Sequence, residues 1–315
     1  MYDLNNCNNN RDAFGNKLCE LGKLNEEIVV LDADLCSSTK TDIFRDKFPD
    51  RFINVGIAEQ NMLDIAAGMS LCGKIPFVTT FSIFGCGRGW EQIRNTIALD
   101  KLNVKMVMTH SGLSLGGDGV THQSLEDIAI MRAIPNMHVI IPADPAETRS
   151  VIEFAVDYNG PVYVRLSRRK SPKIFDDDYK YNPKEYPILK DGTDISIFTT
   201  GNMIRKALIA AKKLENEGIS AKVINVHTIK PLNKEQIIDI AKETGHVISL
   251  EEHNVIGGLG SAIAEVLIQN YPVPMKILGV NDMYGTSGKV DELFVHFNLT
   301  SETVIESANE LLKFR

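Results

Sequence analysis

The feature that most restricts the fold of this chain is the alternation of short apolar segments with helix-like segments along almost its whole length. In the first half, the apolar runs predict strands at 28–31, 52–55, 76–80, 104–108, 138–141 and 162–166. Helical patterns lie between them, for example at 11–24, 90–99, 125–131 and 145–158. Continuous apolar strands connected by helices are typical of a buried parallel sheet. Functional residues of such a sheet are expected just beyond the carboxyl ends of its strands.

Residues 171–192 interrupt this alternation, because they combine three prolines with an Asp176-Asp177-Asp178 run, which is typical of a linker. After them the alternation restarts, with predicted strands at 195–199, 221–226, 247–250 and 275–280 and helices at 202–214, 234–244 and 261–268. We therefore predict an α/β protein of two consecutive three-layer domains with mainly parallel sheets. The predicted boundaries are 1–172 for the larger domain, 173–191 for the linker and 192–315 for the smaller domain.

The composition narrows the class of protein. A chain of 315 residues with 43% hydrophobic residues can bury two cores. Its net charge of −7, without a basic cluster, argues against nucleic acid or a membrane surface as the main partner. The five cysteines include no Cys-x-x-Cys pair, which indicates reduced thiols. Because there is also no signal sequence and no apolar stretch long enough to span a bilayer, we expect a cytoplasmic protein.

Glu59 stands out because it opens a helix directly after a predicted strand, in the segment Gly-Ile-Ala-Glu-Gln-Asn-Met at 56–62. A carboxylate in the first turn of a helix can simply complement the helix dipole. The residues around it, including Ile57, Met62 and Leu63, are nevertheless too apolar for a purely surface role. Glu59 is therefore a candidate functional carboxyl as well as a candidate helix-start acid.

Two more segments after predicted strands could carry chemistry. Thr-His-Ser-Gly at 109–112 is followed by Gly-Gly-Asp-Gly-Val-Thr-His-Gln at 116–123. Histidines and an aspartate suit proton transfer near neutral pH, and the glycines let the backbone approach a ligand closely. Upstream, Thr-Phe-Ser-Ile-Phe-Gly at 80–85 offers two aromatic rings, which alone fit a hydrophobic core equally well.

With these segments in this order, the chain resembles transketolase, a thiamine-diphosphate enzyme, from its pyrimidine-binding domain to its C-terminal domain. The resemblance implies that Glu59 protonates the aminopyrimidine of the cofactor and that Phe81 and Phe84 pack on it. A third position of the family, often aromatic, falls at or near Gly87 here. His110 and His122 would contact the sugar hydroxyls and assist proton movement. The hydroxyl next to the ketose carbonyl would be recognised by Asp118.

The resemblance also implies a phosphate site and a subunit boundary. Arg11, Ser38 and Arg168 match residues that bind the phosphate of the sugar, and guanidinium groups suit phosphate because of their paired donors. Any one of these arginines could equally be an ordinary surface residue. Asp34 and Leu35 match positions that line the cofactor across the subunit boundary.

The diphosphate-binding half of the family is missing from the sequence. Gly117-Asp118-Gly119 looks like the start of the magnesium motif, but the window for its partner asparagine, 141–148, contains none. The Mg²⁺ ligands are therefore expected on another chain. The chain looks like the C-terminal subunit of a split transketolase that pairs with an N-terminal-section subunit. Self-association through the pyrimidine-binding domain would give an α2β2 heterotetramer. Its reaction would transfer a two-carbon ketol unit between sugar phosphates, as in the pentose phosphate pathway.

Three alternatives stay open. The β-subunit of 2-oxoacid dehydrogenases has a similar architecture, and a deoxyxylulose-phosphate synthase fragment shares the helix start at Glu59. The third is a catalytically silent subunit that only stabilises a partner, although it would have no need of Glu59, His110, Asp118 and His122 together. In the second domain, the glycine-rich turn at 257–260 lacks the spacing of a dinucleotide site, so we interpret it as structural.

Overall fold

The computed structural model describes residues 2–313. In the first half the strands are β1 (Cys7–Asn8), β2 (Ile28–Asp32), β3 (Phe52–Asn54), β4 (Ile75–Thr79), β5 (Lys105–Met108), β6 (His138–Ile140), β7 (Val162–Arg165) and β8 (Ser171–Pro172). The helices are α1 (Asn10–Leu24), α2 (Cys36–Thr39), α3 (Asp42–Lys47), α4 (Glu59–Leu71), α5 (Ser82–Arg88), α6 (Asp127–Ala133) and α7 (Pro145–Asp157). The predicted helix at 90–99 is a π-helix, Gln92–Ala98.

The second half contains the strands β9 (Ile188–Lys190), β10 (Ile195–Thr199), β11 (Ala221–Asn225), β12 (Thr228–Lys230), β13 (Val247–Asn254) and β14 (Met275–Val280). Its helices are α8 (Ile204–Asn216), α9 (Lys234–Thr244), α10 (Leu259–Asn270), α11 (Val290–His296) and α12 (Ser301–Leu311). The strands assemble into a seven-stranded sheet in the order β12-β6-β7-β5-β4-β2-β3 and a five-stranded sheet in the order β14-β13-β10-β11-β9. All pairs within these two sheets are parallel except those of β12 and β9. The predicted fold class, two consecutive α/β domains with mainly parallel sheets, is confirmed.

Two strands depart from the predicted division of the chain. Part of the segment predicted as a linker, Ile188–Lys190, pairs with β11 at the edge of the second sheet. Thr228–Lys230, from the second half, pairs with β6 and extends the first sheet instead. Such short edge strands carry too few residues for a clear apolar pattern, since the pairing partner supplies most of their stability.

The hydrophobic core also crosses between the halves. One cluster of buried side chains contains Met106 and Val139 from the first sheet together with Ile224 and Ile229 from the second half. Burial of apolar surface is the main favourable contribution to folding, so this shared cluster holds the two halves together. The five cysteines form no disulfide. None of the helices within residues 2–313 has the length and apolar character needed to cross a bilayer.

Candidate active site

The residues singled out from the sequence gather at one edge of the first sheet. Four neighbouring strands, β5, β4, β2 and β3, run parallel, so their carboxyl ends lie side by side. The predicted residues follow those ends and the end of β7, and α1 contributes Arg11. This position is the usual one for the active site of a parallel α/β sheet. The residues concerned are Arg11, Asp34, Leu35, Ser38, Glu59, Phe81, Phe84, His110, Asp118, His122 and Arg168.

Glu59 is the first residue of α4, and only 4% of its surface is exposed. Its Oε1 accepts a hydrogen bond from Arg88 Nη1 at 2.8 Å, and the two form an ion pair. The helix start favours a negative charge, and the guanidinium compensates for the burial of the carboxylate. Arg88 is the last residue of the short helix α5, which follows β4.

Four rings form a continuous cluster next to this carboxylate. Phe81 stacks on His110 with a centroid distance of 3.9 Å and lies 5.7 Å from Phe84. The ring of His122 meets Phe84 edge-on at 5.1 Å. Aromatic pairs of this kind contribute about 0.5–1.5 kcal/mol beyond the burial of their area. The rings therefore hold one another in place at the edge of the sheet.

His110 is held in an unusual state. Its backbone φ is 60°, in the left-handed region that residues other than glycine rarely occupy, and such outliers cluster at functional sites. Burial, followed by the positive charges of Arg11 and Arg168, lowers the pKa of His110 to about 3. The ring is therefore neutral near pH 7. Its Nε2 lies 3.3 Å from the donor Arg11 Nη1, so Nε2 accepts, and Nδ1 carries the proton toward Thr109 Oγ1 at 2.8 Å.

The two arginines predicted to bind phosphate lie beside this histidine. The backbone N–H of Arg11 donates to Asn9 Oδ1, the N-cap of α1, and this fixes the start of the helix. The guanidinium of Arg11 donates to the main-chain oxygens of Ser38 at 2.7 Å and Arg168 at 3.3 Å. Arg168 in turn pairs with Asp118 at 3.4 Å. Five predicted residues, Arg11, Ser38, His110, Asp118 and Arg168, are thus joined by direct contacts.

Asp34 and Leu35 lie at the same edge but on the β3 side of β2. Asp34 is exposed, has a φ of 64°, and its Oδ1 accepts from Asn54 Nδ2 at 3.0 Å. The N–H of Leu35 donates to Asp32 Oδ1. The main-chain oxygen of Leu35 accepts from the N–H of Ser38 at 2.8 Å, so the pair lies next in the chain to the helix that contacts Arg11.

The second domain contributes residues that the sequence did not reveal. Glu252 on β13 accepts a hydrogen bond from the N–H of Ser114 at 2.9 Å, at the start of the glycine-rich segment. Asn202 donates to Ser114, to Ser167 and to Glu252. Burial raises the pKa of Glu252, although the charge of Arg165 and these hydrogen bonds oppose the rise. The sequence feature that could have revealed Glu252 is the pair Glu251-Glu252, which directly continues the apolar strand predicted at 247–250.

The arrangement fits a planar nitrogen heterocycle. A buried carboxylate beside aromatic faces can hold a proton on a ring nitrogen while the rings pack against the heterocycle. No group of three or more His, Cys, Asp or Glu side chains within residues 2–313 could hold a metal ion.

Comparisons with known proteins agree with this geometry. Residues 8–173 match the transketolase pyrimidine binding domain family, and residues 184–304 match the transketolase C-terminal domain family. A protein of Methanocaldococcus jannaschii, provisionally named a transketolase C-terminal section, is 47% identical over 96% of both chains. The 6-deoxy-6-sulfo-D-fructose transketolase subunit of Clostridium sp. strain MSTE9 is 40% identical, over 96% of this chain and 94% of its own length.

A similar solved structure is described as a split gene transketolase in the form of an inactive beta4 tetramer. It is 46% identical in sequence, with a TM-score of 0.88, and the match covers 97% of this chain and 98% of that one. Both domains and nearly the full length of these relatives are therefore matched, and the chain belongs to the transketolase family.

Proposed function

We propose that this chain is the C-terminal subunit of a split transketolase that depends on thiamine diphosphate. With a partner chain, it would transfer a two-carbon ketol unit from a ketose phosphate to an aldose phosphate. The observation that carries the proposal is the single contact network that joins Glu59 through Arg88 and the aromatic cluster to His110 and Arg11. A cofactor site and a sugar-phosphate site would lie at its two ends.

The cofactor, when bound, would supply the thiazolium carbon that stabilises a carbanion during ketol transfer. Glu59 would hold a proton at the aminopyrimidine, and Phe81 and Phe84 would fix the plane of that ring. Neutral His110 could accept a hydrogen bond at Nε2 from a sugar hydroxyl once Arg11, which now donates to Nε2, turns to the phosphate, since Nδ1 is engaged with Thr109. His122, whose ring centre lies 6.2 Å from that of Phe81, would assist proton movement.

The anionic end of the sugar would bind at Arg11 and Arg168. The guanidinium of Arg11 already lies within hydrogen-bond distance of main-chain oxygens of Ser38 and Arg168, so a phosphate could replace these weaker acceptors. The Clostridium relative is named for a sulfonated sugar, and sulfonate would suit the same donors. We propose a phosphorylated sugar for this chain. Asp118 would orient the hydroxyl next to the carbonyl and keep Arg168 in place.

An N-terminal-section subunit would supply the diphosphate and Mg²⁺ ligands, and Asp34 and Leu35 would line the cofactor at the boundary between chains. The exposure of Asp34 is consistent with a role toward a second chain. An α2β2 assembly would place each cofactor between subunits. The description of the similar split-gene structure as an inactive beta4 tetramer supports the expectation that this chain is inactive alone.

The proposal is tested by reconstitution. We expect the purified chain alone to show neither tight binding of thiamine diphosphate nor turnover, and the mixture with the N-terminal-section partner to show both. Glu59→Ala should abolish turnover by the complex while its circular dichroism spectrum stays unchanged. Full activity of the chain alone would contradict the split-subunit proposal. A partner that is equally active alone would instead indicate a silent subunit.

The same complex distinguishes the enzymatic alternatives through their substrates. A transketolase converts a pentulose phosphate and an aldose phosphate in the absence of pyruvate. A β-subunit of a 2-oxoacid dehydrogenase and a deoxyxylulose-phosphate synthase both require a 2-oxoacid. The residues that favour the first reaction are the sugar-phosphate arginines together with His110 and Asp118.

A further inference from the structure

Arg88 contacts Glu59 and Phe84, two of the residues that we propose bind the aminopyrimidine of the cofactor. Its Nη1 donates to Glu59 Oε1 at 2.8 Å, and its guanidinium carbon lies 4.2 Å from the centre of the Phe84 ring. A third contact fixes the backbone of the same residue, because Gln60 Nε2 donates to the carbonyl oxygen of Arg88 at 3.0 Å. The end of α5 is thereby tied to the start of α4.

The chemistry of a guanidinium resembles that of a protonated aminopyrimidine. Both are planar cations that offer N–H donors to a carboxylate and a flat face to an aromatic ring. The family position that often carries a third aromatic residue falls at or near Gly87 here, and a Cβ at Gly87 would meet only Ile83 Cδ1, at 4.0 Å. Gly87 therefore contributes no side chain that could fill the position of that ring.

We propose that Arg88 is an internal substitute for the aminopyrimidine, which neutralises Glu59 in the cofactor-free subunit and must be displaced when thiamine diphosphate binds. This inference rests on the proposed function of Glu59. Arg88 thereby sets the affinity for the cofactor without taking part in the chemistry. A buried carboxylate without a partner is costly, so a substitute that leaves only when the cofactor arrives keeps the carboxylate paired in both states.

The burial of the two partners decides which of them moves. The Glu59 side chain is 4% exposed, whereas half of the Arg88 side chain is exposed to solvent. The guanidinium can swing into water on its flexible stem, where its charge is well solvated. Glu59, enclosed at the start of α4, stays in place. The affinity of the site for its cofactor is then lowered by the fraction of molecules in which Arg88 occupies it.

The first test measures binding and not activity. Thiamine diphosphate, with Mg²⁺ present, is titrated by calorimetry into the complex of this chain with the N-terminal-section subunit. We expect Arg88→Ala to bind the cofactor more tightly by roughly three- to tenfold, since the competing occupant is gone. The affinity of Arg88→Lys should lie between those of the wild type and Arg88→Ala, because an ammonium pairs with Glu59 but lacks the planar face.

The matched control is Arg94→Ala, on the following helix, where the arginine is exposed and its hydrogen bond goes to Asn95. It should leave the affinity unchanged. Unchanged or weaker binding by Arg88→Ala would overturn the proposal.

The second test needs no cofactor and no partner. The only tryptophan, Trp90, lies two residues beyond Arg88 and reports on urea unfolding of the chain alone. Arg88→Ala and Glu59→Gln are compared with the double variant in a thermodynamic cycle. If Arg88 and Glu59 interact, the double variant loses less free energy of unfolding than the two single variants lose together. Additive losses would show that the two side chains do not interact and would overturn the proposal. If the pair is present but no complex binds the cofactor, the proposed function fails, and the role of Arg88 as a substitute fails with it.

Discussion

Gln123, on the glycine-rich segment of the first domain, donates a hydrogen bond from Nε2 to the main-chain oxygen of Thr286 in the second domain, over 3.0 Å. The hydroxyl of Ser287 donates to the carbonyl oxygen of Gly117 in the same segment. The segment that carries Asp118 and His122 is therefore held from outside its own domain. Because effective catalysis requires closely fixed geometry, we expect these contacts of the second domain to affect the proposed reaction.

We predict that Gly285→Ala disturbs the reaction through this connection. A Cβ at Gly285 would lie 1.9 Å from Gln123 Oε1, so the buried Gln123 side chain would have to move and its bond to Thr286 would break. We expect kcat/KM of the reconstituted enzyme to fall roughly tenfold, which corresponds to about 1.4 kcal/mol. The control is Gly68→Ala in α4, where a Cβ meets nothing within 4 Å. Kinetics of Gly285→Ala equal to those of this control would contradict the prediction.

Stability should depend on pH through Glu147, which joins the two domains. Its carboxylate accepts from the N–H of Ala143 and from Asn225 Nδ2, and burial raises its pKa to about 8. Because the folded protein holds this proton more tightly than the unfolded chain, the stabilisation is present below the ordinary pKa of glutamate. It is lost as the pH rises toward 8.

Glu147→Gln mimics the protonated carboxyl, so it should gain stability relative to the wild type as the pH rises. Between pH 5 and pH 8 we expect a gain of roughly 2–4 kcal/mol in the difference between their free energies of unfolding. Thermal unfolding at several pH values measures this difference. The exposed Glu26→Gln serves as the control for the loss of a carboxyl group at the surface. A difference for Glu147→Gln that does not change with pH would show that the carboxyl is ionised in the folded protein throughout.

Breaking the buried ion pair between Arg165 and Asp127 should cost much of the stability of the protein. Arg165 Nε donates to Asp127 Oδ2 at 2.7 Å, and both side chains are almost fully buried. Burial alone would raise the pKa of Asp127, but the charge of Arg165 pulls it below its ordinary value. Arg165→Met leaves this carboxylate without its cation and should destabilise the protein by about 3–5 kcal/mol in urea unfolding.

Two variants show whether the charge is the cause of that loss. Adding Asp127→Asn to Arg165→Met removes the unpaired charge and should recover part of the stability. Lys213→Met, which breaks the exposed pair with Glu302, should change little. If Arg165→Met and the double variant lose equal free energy of unfolding, the loss is due to packing and not to the unpaired charge.

The two domains should unfold together. Each domain has surface that it can bury only against the other. This surface includes the shared hydrophobic cluster of Met106, Val139, Ile224 and Ile229 and the edge of the first sheet that β12 completes. Trp90 fluorescence reports on the first domain, and far-ultraviolet circular dichroism reports on both. We expect coincident urea midpoints by the two methods. A fluorescence transition separated from the circular dichroism transition would show independent domains.

The sequence predicted the order of strands and helices and the edge where the candidate residues gather, because both depend on local patterns. Apolar runs identify buried strands wherever they lie, and residues after neighbouring parallel strands must meet at one edge. Glu59, Phe81 and His110 follow β3, β4 and β5, so the sequence predicted their shared edge but not that β2 lies between β3 and β4.

The contacts that the sequence could not predict connect residues far apart in the chain. Arg88 reaches back 29 positions to Glu59, and Glu252 contacts Ser114 across 138 positions. No periodicity encodes such pairs, since they depend on how whole elements pack. The strand Thr228–Lys230 could not be predicted for a similar reason. Three residues before a proline are too few to show an apolar pattern, and it is the pairing with β6 that makes them a strand.

The placement of that strand has a consequence for anyone who recombines parts of this protein. A chimaera cut in the proline-rich segment around residue 180 would take Thr228–Lys230 away from the sheet that it completes. His138–Ile140 would then become a bare sheet edge, whose unpaired backbone groups invite pairing with other molecules. An exchange of the second domain should therefore preserve the chain through Lys230, or supply a donor whose own strand fits the same edge.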